Sequence, residues 1–583
     1  MSDRPPKSVS SDSDWLSDAQ SGMVIERDVG ITMDDGIVLR ADIFRPKSNE
    51  KVPVIMNLGP YNKGLRYQEG YAPEWKRLVE EHPEVMQGST CSFLTWETVD
   101  PERWVPNGYA VARIDARGTG RSPGIVDKYS PREIRDFYTA IEWSATQSWC
   151  NGKVGLLGIS YYAITQWLVA SLQPPHLTAI IPWEGACDHY REMTYHGGIL
   201  CNGFVEQWYA RRFLPRQHGK GMNSAMDPWL GKPATGDETL SEEQLKQNRT
   251  NYLGDIRRHK LDDEFHRSRS ADLSKIKIPL MSASNWGGIG LHSRGNFEGF
   301  MRSASEEKWL SVHVGRHEEY FYLKYGLDLQ MRFFDHFLKG KSNGWEKEPR
   351  VLLTIRHVDR FEERKESEWP IARTKWTMTY LNSHNGLQWE TPSSVDKFSF
   401  NAQGSGVTLY SNPLEKETEI TGPVVGKLNI ASSTTDADLF LTLRAFSPED
   451  REVTFHGANE PKAPLSQGWL RASHRKKDPH LSRPYRPYHT HDEVQKLEPE
   501  KVYEVEVEMW PTCIVLPSGY RIALTIGGGD FERPDSAERF KGSGPFIHND
   551  AGDRGSPEFH GVTKIQTGGA NASHLLLPVV PPA

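Results

Sequence analysis

The sequence predicts an α/β domain built on a parallel sheet, followed by an all-β domain. Two observations carry this reading. Up to about residue 345, short apolar runs of strand character alternate with stretches of helical periodicity, which implies βαβ units. Beyond about residue 346 the runs become short and alternating, separated by turn residues, with few helical stretches. A chain of 583 residues has room for both, and 37% hydrophobic with 25% charged residues excludes global disorder.

The first 20 residues carry Pro, Ser and Asp with little apolar content and read as a loose tail. Order is expected from about Val24. Two β-like runs flank Asp35-Gly36, the strongest short hairpin signal. Residues 52–59 form an apolar run of the kind a buried strand shows, and residues 109–115 form another, closed by Arg117-Gly118. Over residues 132–144, Ile134, Phe137, Ile141 and Trp143 recur at turn spacing and predict a helix. Residues 152–159 then read as a strand leading into Ser160, residues 161–172 as a helix, and residues 177–183 as a strand. The alternation breaks over residues 186–271, an inserted and mainly helical segment rich in aromatic and charged residues. It resumes with strands near 278–284 and 309–314 and a helix over 327–338 that closes at Gly340. Runs at 351–355, 376–381, 425–430, 439–445, 502–509 and 521–526 belong to the all-β part, and a β-sandwich or jelly roll is the expectation.

A formal net charge of -7 argues against a nucleic-acid partner held by bulk electrostatics. No run approaches the ~20 apolar residues of a spanning helix, so no membrane partner is expected. The polar start MSDRPPKSVSSDSDW lacks the apolar core of a secretory signal, and a cytoplasmic location is the expectation. The five cysteines, Cys91, Cys150, Cys187, Cys201 and Cys513, are odd in number and far apart, which suggests neither a disulfide framework nor a CxxC zinc site.

The most informative segment is Gly158-Ile-Ser160-Tyr-Tyr162-Ala163. A nucleophile on a sharp strand-to-helix turn needs small neighbours, and the helix N-terminus offers free N–H groups to a developing oxyanion. Gly158 meets that need, but Tyr162 stands where the common G-x-S-x-G elbow has its second glycine. Local sequence therefore leaves two readings open, a nucleophile or a helix N-cap. Neighbouring motifs add weight to the first: Pro60-Tyr61-Asn-Lys63, Asp115-Ala-Arg117-Gly118-Thr-Gly120-Arg-Ser122, Pro182-Trp-Glu-Gly185, Gly315-Arg-His317, Gly468-Trp-Leu-Arg-Ala-Ser473 and Glu508-Met-Trp-Pro-Thr512.

In this order the set resembles the cocaine esterase and X-Pro dipeptidyl-peptidase-like hydrolases, the CocE/NonD family, whose relatives include α-amino acid ester hydrolases. The resemblance runs through nearly the whole chain. It implies an α/β-hydrolase domain over 21–185 and 272–345, a helical cap at 186–271, and a C-terminal jelly-roll domain of galactose-binding-like type at 346–583. It also implies a serine hydrolase acting on a small-molecule acyl ester or amide, needing no metal or organic cofactor, and compatible with a homo-oligomer. The family's nucleophile falls on Ser160. Its oxyanion hole falls on the Tyr61 hydroxyl and the backbone N–H of Tyr161, and its general base on His317, in preference to His313 inside the preceding strand.

The acid departs from the pattern. Relatives place an aspartate just after the tryptophan that ends the preceding strand, and here Gly288 occupies that position; no carboxylate occurs between Ile276 and Phe297. A glycine cannot orient an imidazole. The replacements open to the sequence are Glu184 at the end of the 177–183 strand, Asp188 one turn on, or Glu298, Glu318 or Glu319; a serine–histidine dyad assisted by water or Asn285 is the remainder. The missing acid also motivates a catalytically silent binding protein, and an acyltransferase using the same serine is a further reading. The glycine-rich loop at 118–122 lacks the Walker lysine and reads as structural. His489-Thr-His491-Asp492 reads as a solvated loop rather than a metal site, and the basic run 471–477 as a solvent-facing patch. Trp183, Trp208, Tyr209 and Trp286 are candidates for lining an acyl or aryl pocket.

Overall fold

Eleven strands join the sheet that carries the serine elbow. The computed structural model describes residues 14–18, 22–384, 386–533, 542–569 and 572–582. In chain order the strands are β1 (Asp14–Asp18), β2 (Met23–Thr32), β3 (Val38–Pro46), β4 (Val52–Gly59), β5 (Ala110–Asp115), β6 (Cys150–Ile159), β7 (Leu177–Trp183), β8 (Leu280–Asn285), β9 (Lys308–His313), β10 (Val351–Arg356) and β11 (Phe361–Glu366). Their spatial order is β1-β2-β3-β5-β4-β6-β7-β8-β9-β10-β11. Neighbours are parallel from β5 through β10 and antiparallel at both margins. Every residue of β4, β5 and β8 is buried, as a parallel sheet covered on both faces requires.

The helices read from periodicity sit where the crossovers need them. Helix α1 (Pro131–Ala145) starts on Ser130, whose hydroxyl accepts the Glu133 N–H at 3.2 Å, with proline in the first turn. Helix α2 (Tyr161–Ala170) follows the elbow and is buried on all sides. Helix α3 (Ser293–Arg302), which the sequence reading did not mark, links β8 to β9. Helix α4 (Lys324–Lys339) stops at Gly340, which takes the left-handed conformation (φ 67°) that ends a helix most readily with glycine.

Two boundaries differ from the sequence reading. Asp14–Asp18 pairs antiparallel with β2 although its composition reads as a loose tail. The run at 351–355, assigned by texture to the all-β domain, instead extends the first sheet as β10, and β11 folds back on it. Its alternation reflects an edge hairpin, which carries the same period-2 signal as a β-domain strand.

The segment between β7 and β8 holds short helices such as Asn202–Trp208 and Tyr252–Arg258, together with two-stranded pairs at Tyr195–His196/Ile199–Leu200 and Met226–Asp227/Lys232–Pro233. The strands beyond β11 are β12 (Lys375–Asn382), β13 (Gly386–Gln388), β14 (Asp396–Asn401), β15 (Val407–Ser411), β16 (Thr418–Ser432), β17 (Asp438–Phe446), β18 (Ser466–Arg471), β19 (Tyr503–Leu516), β20 (Arg521–Gly527), β21 (Val562–Thr567) and β22 (His574–Val580). Alternating runs predict a sandwich. The strands instead share one sheet, β14-β21-β16-β19-β18-β17-β20-β15-β13-β12-β22, which closes as a barrel when β22 pairs back onto β16. Closure pairs the edge that β22 would otherwise leave, while β14 keeps the single partner β21.

The two domains share buried contacts. Trp286 and Phe297 of the first pack with Cys513, Val515 and Val580 of the second. Arg294 on α3 pairs with Glu192 at 2.8 Å and with Glu508 on β19 at 3.0 Å. The five cysteines are buried free thiols. Among the described residues no helix is long and apolar enough to cross a membrane.

Candidate functional site

Ser160 sits at the end of β6 with φ 57° and ψ −114°, a conformation that L-residues adopt only under constraint. The constraint comes from both sides. Its N–H is shared by the carbonyls of Trp183 (3.1 Å) and Glu184 (3.2 Å), and the preceding Ile159 N–H is held by Glu97 O at 3.1 Å. Glycines make the turn passable. A Cβ on Gly158 would stand 2.6 Å from the Cβ of Tyr162, and one on Gly59 would stand 2.5 Å from the Tyr162 ring. Room for Tyr162 is thus made by Gly158 and Gly59, which explains how the elbow works without the usual second glycine. Gly185 has the same relation to Ala163, at 2.5 Å.

The sequence-predicted oxyanion groups come together beside Ser160. The Tyr61 ring stands edge-on to Tyr161 (6.2 Å between centroids) and Tyr162 (5.7 Å), and its hydroxyl accepts a hydrogen bond from Trp208 Nε1 at 3.1 Å. Burial raises the Tyr61 phenol well above its ordinary range, and the Glu97 charge adds to the effect, so it remains a protonated donor. Tyr161 opens α2, where a backbone N–H has no partner within the helix. Its side chain points elsewhere, donating to Glu133 at 2.8 Å.

Histidines and carboxylates form a second layer. Both nitrogens of His317 face carboxylates: Nδ1 lies 2.8 Å from Glu184 Oε2, and Nε2 lies 3.0 Å from Glu97 Oε1. Glu184 is fully buried, is itself left-handed (φ 47°), and also accepts from His313 Nε2 (2.9 Å) and Asn285 Nδ2 (3.2 Å). Burial disfavours the Glu184 carboxylate, but the His317 charge and the hydrogen bonds from both histidines outweigh it and hold the group at about 2. Burial likewise opposes a charged His317, and the two carboxylates overcome it, raising the imidazole well above 6.5.

The Ser160 hydroxyl bonds a different ring. Its Oγ lies 3.1 Å from Nε2 of His292, which stacks on His317 at 5.0 Å with 14° between planes. His292 Nδ1 is buried without a hydrogen-bond partner, and burial followed by the His317 charge lowers this imidazole to about 3. The two hydrogen bonds of a serine–histidine–acid relay are therefore both present but divided between stacked histidines: Ser160–His292 and His317–Glu184.

Of the acid candidates, Glu184 reaches a histidine. Asp188 accepts from the amides of Tyr190 and Arg191 and pairs with the Arg191 guanidinium at 2.9 Å, a helix-start role. Glu298 is engaged by Arg302 and Arg486, Glu318 by Arg77, and Glu319 by Arg316. Gly288 forms the turn that leads into α3, and its carbonyl accepts from His292 and Ser293. Sequence reading missed His292 and Glu97. The only available signal for His292 was its place between the Trp-Gly-Gly turn and a helix; Glu97 lies in a loop with no motif around it. Asp115 accepts from the amides of Lys63 and Arg121, so the glycine-rich loop is structural as read. His491 meets His474 (Nδ1 to Nδ1, 3.1 Å), while Asp492 turns outward to Lys476.

Ser160 stands between two spaces. An outer cleft of about 550 Å³ is lined by Tyr61, Trp96, Glu97, His292 and His317 from the first domain and His456 from the second. A small inner pocket of about 20 Å³ lies beyond, lined by Phe204, Val205, Trp208, Leu291 and the buried Lys128. The Lys128 ammonium packs over the rings of Tyr252 (4.3 Å), Trp208 (4.5 Å) and Tyr129 (4.8 Å). Burial lowers it to about 7, against the attraction of Glu133. Of the four aromatics singled out in the sequence, Trp208 lines both spaces. Trp183 and Trp286 are fully buried, and Tyr209 stacks on Phe213 at 5.2 Å.

Fold and site together are those of a serine hydrolase. The X-Pro dipeptidyl-peptidase (S15 family) matches residues 35–319, and the X-Pro dipeptidyl-peptidase C-terminal non-catalytic domain matches residues 343–576. A CocE/NonD family hydrolase from Staphylococcus aureus shares 33% identity and superposes with a TM-score of 0.81, over 96% of this chain and 94% of that one. The cocaine esterase of Rhodococcus sp. (strain MB1 Bresler) is 24% identical across 95% of this chain and 98% of its own length. An aminopeptidase from a marine sediment Thaumarchaeota archaeon shares the fold, with a TM-score of 0.71 at 14% identity over 100% of this chain and 99% of that one. The chain belongs to the CocE/NonD family of hydrolases.

Proposed function

We propose that this hydrolase cleaves a carboxylic ester or amide through an acyl-enzyme on Ser160, with His317 as general base and Glu184 as the relocated acid. The observation that carries the reading is Ser160 itself, held in a strained elbow between an outer cleft and a small inner pocket, with its hydroxyl on an imidazole. Ser160 Oγ attacks the carbonyl carbon, the Tyr61 hydroxyl and the Tyr161 N–H hold the oxyanion, and the leaving group departs with the serine proton. Water then repeats the attack and releases the acid. The inner pocket accepts the acyl group, and its size favours a short one. The 186–271 segment acts as a cap, since Phe204 and Trp208 wall both spaces. The order of the first sheet's strands supports an α/β-hydrolase core.

Choosing His317 rests on magnitudes. Loss of a correctly placed acid typically lowers kcat by ~10⁴, whereas serine–histidine hydrogen bonds are often loose until substrate binds. His317 has its acid, Glu184; His292 has none. The second reading makes His292 the base of a dyad, and the 3.1 Å contact to Ser160 favours it. Stopped-flow measurement of acylation by a chromogenic acetyl ester decides between them. Ser160→Ala should abolish turnover, and His317→Gln should slow acylation at least as severely as Glu184→Gln, with His292→Gln retaining most of the rate. Full activity in Ser160→Ala would end the serine mechanism; a normal rate in His317→Gln with a lost rate in His292→Gln would transfer the base to His292.

A further inference from the structure

Away from the cleft, the cap and the barrel meet at a cluster of His196, Cys201 and His548, whose ligand atoms all lie within 4.8 Å of one another. All three are buried, at 1%, 2% and 0% exposure. His196 and Cys201 flank the cap hairpin Tyr195–His196/Ile199–Leu200, and His548 lies in the loop that follows Phe546.

Hydrogen bonding leaves this cluster one cation short. His548 Nδ1 lies 2.7 Å from Asp530 Oδ1, and a carboxylate can only accept, so the ring's proton is there and its Nε2 presents a lone pair. That lone pair faces Nδ1 of His196 at 2.9 Å. On its other side His196 Nε2 faces the Glu192 carbonyl at 3.3 Å, a second group that only accepts. A neutral His196 has one N–H for two acceptors. The His189–His266 pair, equally close at 2.8 Å, has no such conflict. His266 gives its Nε2 proton to the His259 carbonyl (2.7 Å), and the Tyr252 hydroxyl can donate to His189 Nε2, which frees His189 Nδ1–H for His266.

We propose that His196 Nδ1, His548 Nε2 and Cys201 Sγ bind a divalent zinc-class ion that clamps the cap hairpin to the barrel. Two imidazoles and a thiolate are the donor set that selects zinc in tetrahedral sites, with a fourth position left for water or a backbone oxygen. The surroundings fit: Asp530 on the far nitrogen of His548 and the Glu192 carbonyl on that of His196 are the partners that fix ligand tautomers around zinc. Two nitrogens each ~2.0 Å from zinc sit ~3.3 Å apart, so on binding the 2.9 Å contact opens by a few tenths of an ångström and Cys201 Sγ, within 4.8 Å of both, closes on the ion. As the sulfur–zinc bond forms, the Cys201 thiol releases its proton to water. The ion would be structural, taken up as the chain folds, and remote from the chemistry. Its effect on the cleft would run through Phe546, which packs on Phe204 at 5.2 Å, and through the neighbouring Pro545 in the cleft wall.

The test is metal content and spectroscopy on the full chain. Protein purified through a chelator should retain about one equivalent of zinc per chain, falling to near none in Cys201→Ser and His548→Gln, while His317→Gln keeps it. Chain produced in cobalt-supplemented medium should show a thiolate-to-cobalt charge-transfer band that Cys201→Ser abolishes. Absence of both retained zinc and the band would overturn the proposal and leave a proton as the cation between the rings. A bound ion lost in His317→Gln but kept in Cys201→Ser would place it instead among Glu184, His292 and His317. Neither readout depends on turnover, so the hydrolase reading stands or falls separately.

Discussion

Replacing Glu97 by glutamine should make this enzyme work at lower pH. A general base acts only when deprotonated, so kcat/KM rises through the free-enzyme pKa of His317. In the wild type that ascending limb is expected above the ordinary histidine value of 6.5, because Glu184 at 2.8 Å and Glu97 at 3.0 Å hold the imidazolium against the effect of burial. Both Glu97 and His317 are buried, at 3% and 7% exposure, so solvent screens the pair little. A hydrogen bond to a charged group contributes about 1.5–3 kcal/mol, and one pKa unit corresponds to about 1.4 kcal/mol. Glu97→Gln should therefore lower the limb by about 1–2 units while Glu184 stays in place. On the acidic side of the wild-type limb the variant becomes the faster enzyme, by about 10- to 100-fold at most. The assay is kcat/KM against pH for a small aryl ester, with the burst amplitude confirming intact active sites. A limb that stays put or moves up refutes the argument. Upward movement would itself be informative: His292 is held at about 3 partly by the His317 charge, so neutralising His317 would raise a base located there.

Three further substitutions bear on the same reading. Tyr61→Phe removes the side-chain oxyanion donor and leaves the ring packing, so kcat should fall by ~10²–10³ with KM little changed; an unchanged kcat would remove Tyr61 from the oxyanion hole. Glu184→Gln should reduce kcat by ~10⁴ with the fold intact, whereas Asp188→Asn should leave kcat near wild type. The latter should cost about 1–3 kcal/mol in urea unfolding, because the buried Arg191 loses one of its two carboxylates and keeps Asp262. The reverse pattern of activities would make Asp188 the acid.

Much of the site was legible because it lies where local sequence and local structure coincide. Gly158 lies at the end of one strand and Ser160 just past it, Tyr61 follows the end of the neighbouring strand, and His317 follows the last strand of the alternating pattern. These positions are set by sheet order, and sheet order follows from the alternation of apolar runs and helical periodicity. Glu97 and His292 were not legible for the complementary reason. Both are brought in by irregular backbone: Glu97 in a left-handed conformation (φ 62°) within a long loop, and His292 just before α3 with a backbone that no periodicity marks. The barrel's closure was hidden too, because β22 pairs with both β12 and β16, and a strand's alternation does not encode how many partners it has.

The geometry of a parallel sheet accounts for an acid at Glu184, the position proposed above. Strands β7 and β8 are direct neighbours, with Trp183 opposite Ala283, so their C-terminal ends open at the same height beneath the β9 end that carries His317. A carboxylate on either strand can approach the imidazole from the same side, and the one that does is fixed by what the following backbone permits. After β8 the chain turns at once: the Gly288 N–H returns to Asn285 O at 3.0 Å, and its carbonyl takes the amides of His292 and Ser293. A Cβ there would lie 3.2 Å from Asn285 O and 3.3 Å from Ser293 N, a tight fit that a side chain meets only if the turn gives by a few tenths of an ångström. The same turn delivers His292 to Ser160. After β7 the constraint is reversed. Glu184 is held left-handed by its N–H on Ala283 O at 2.7 Å and by its own carbonyl on the Ser160 amide, which leaves its longer side chain free to reach His317. One residue thus supports the elbow through its backbone and reaches His317 through its side chain, so the proposed relocation to the end of β7 costs the site no additional element.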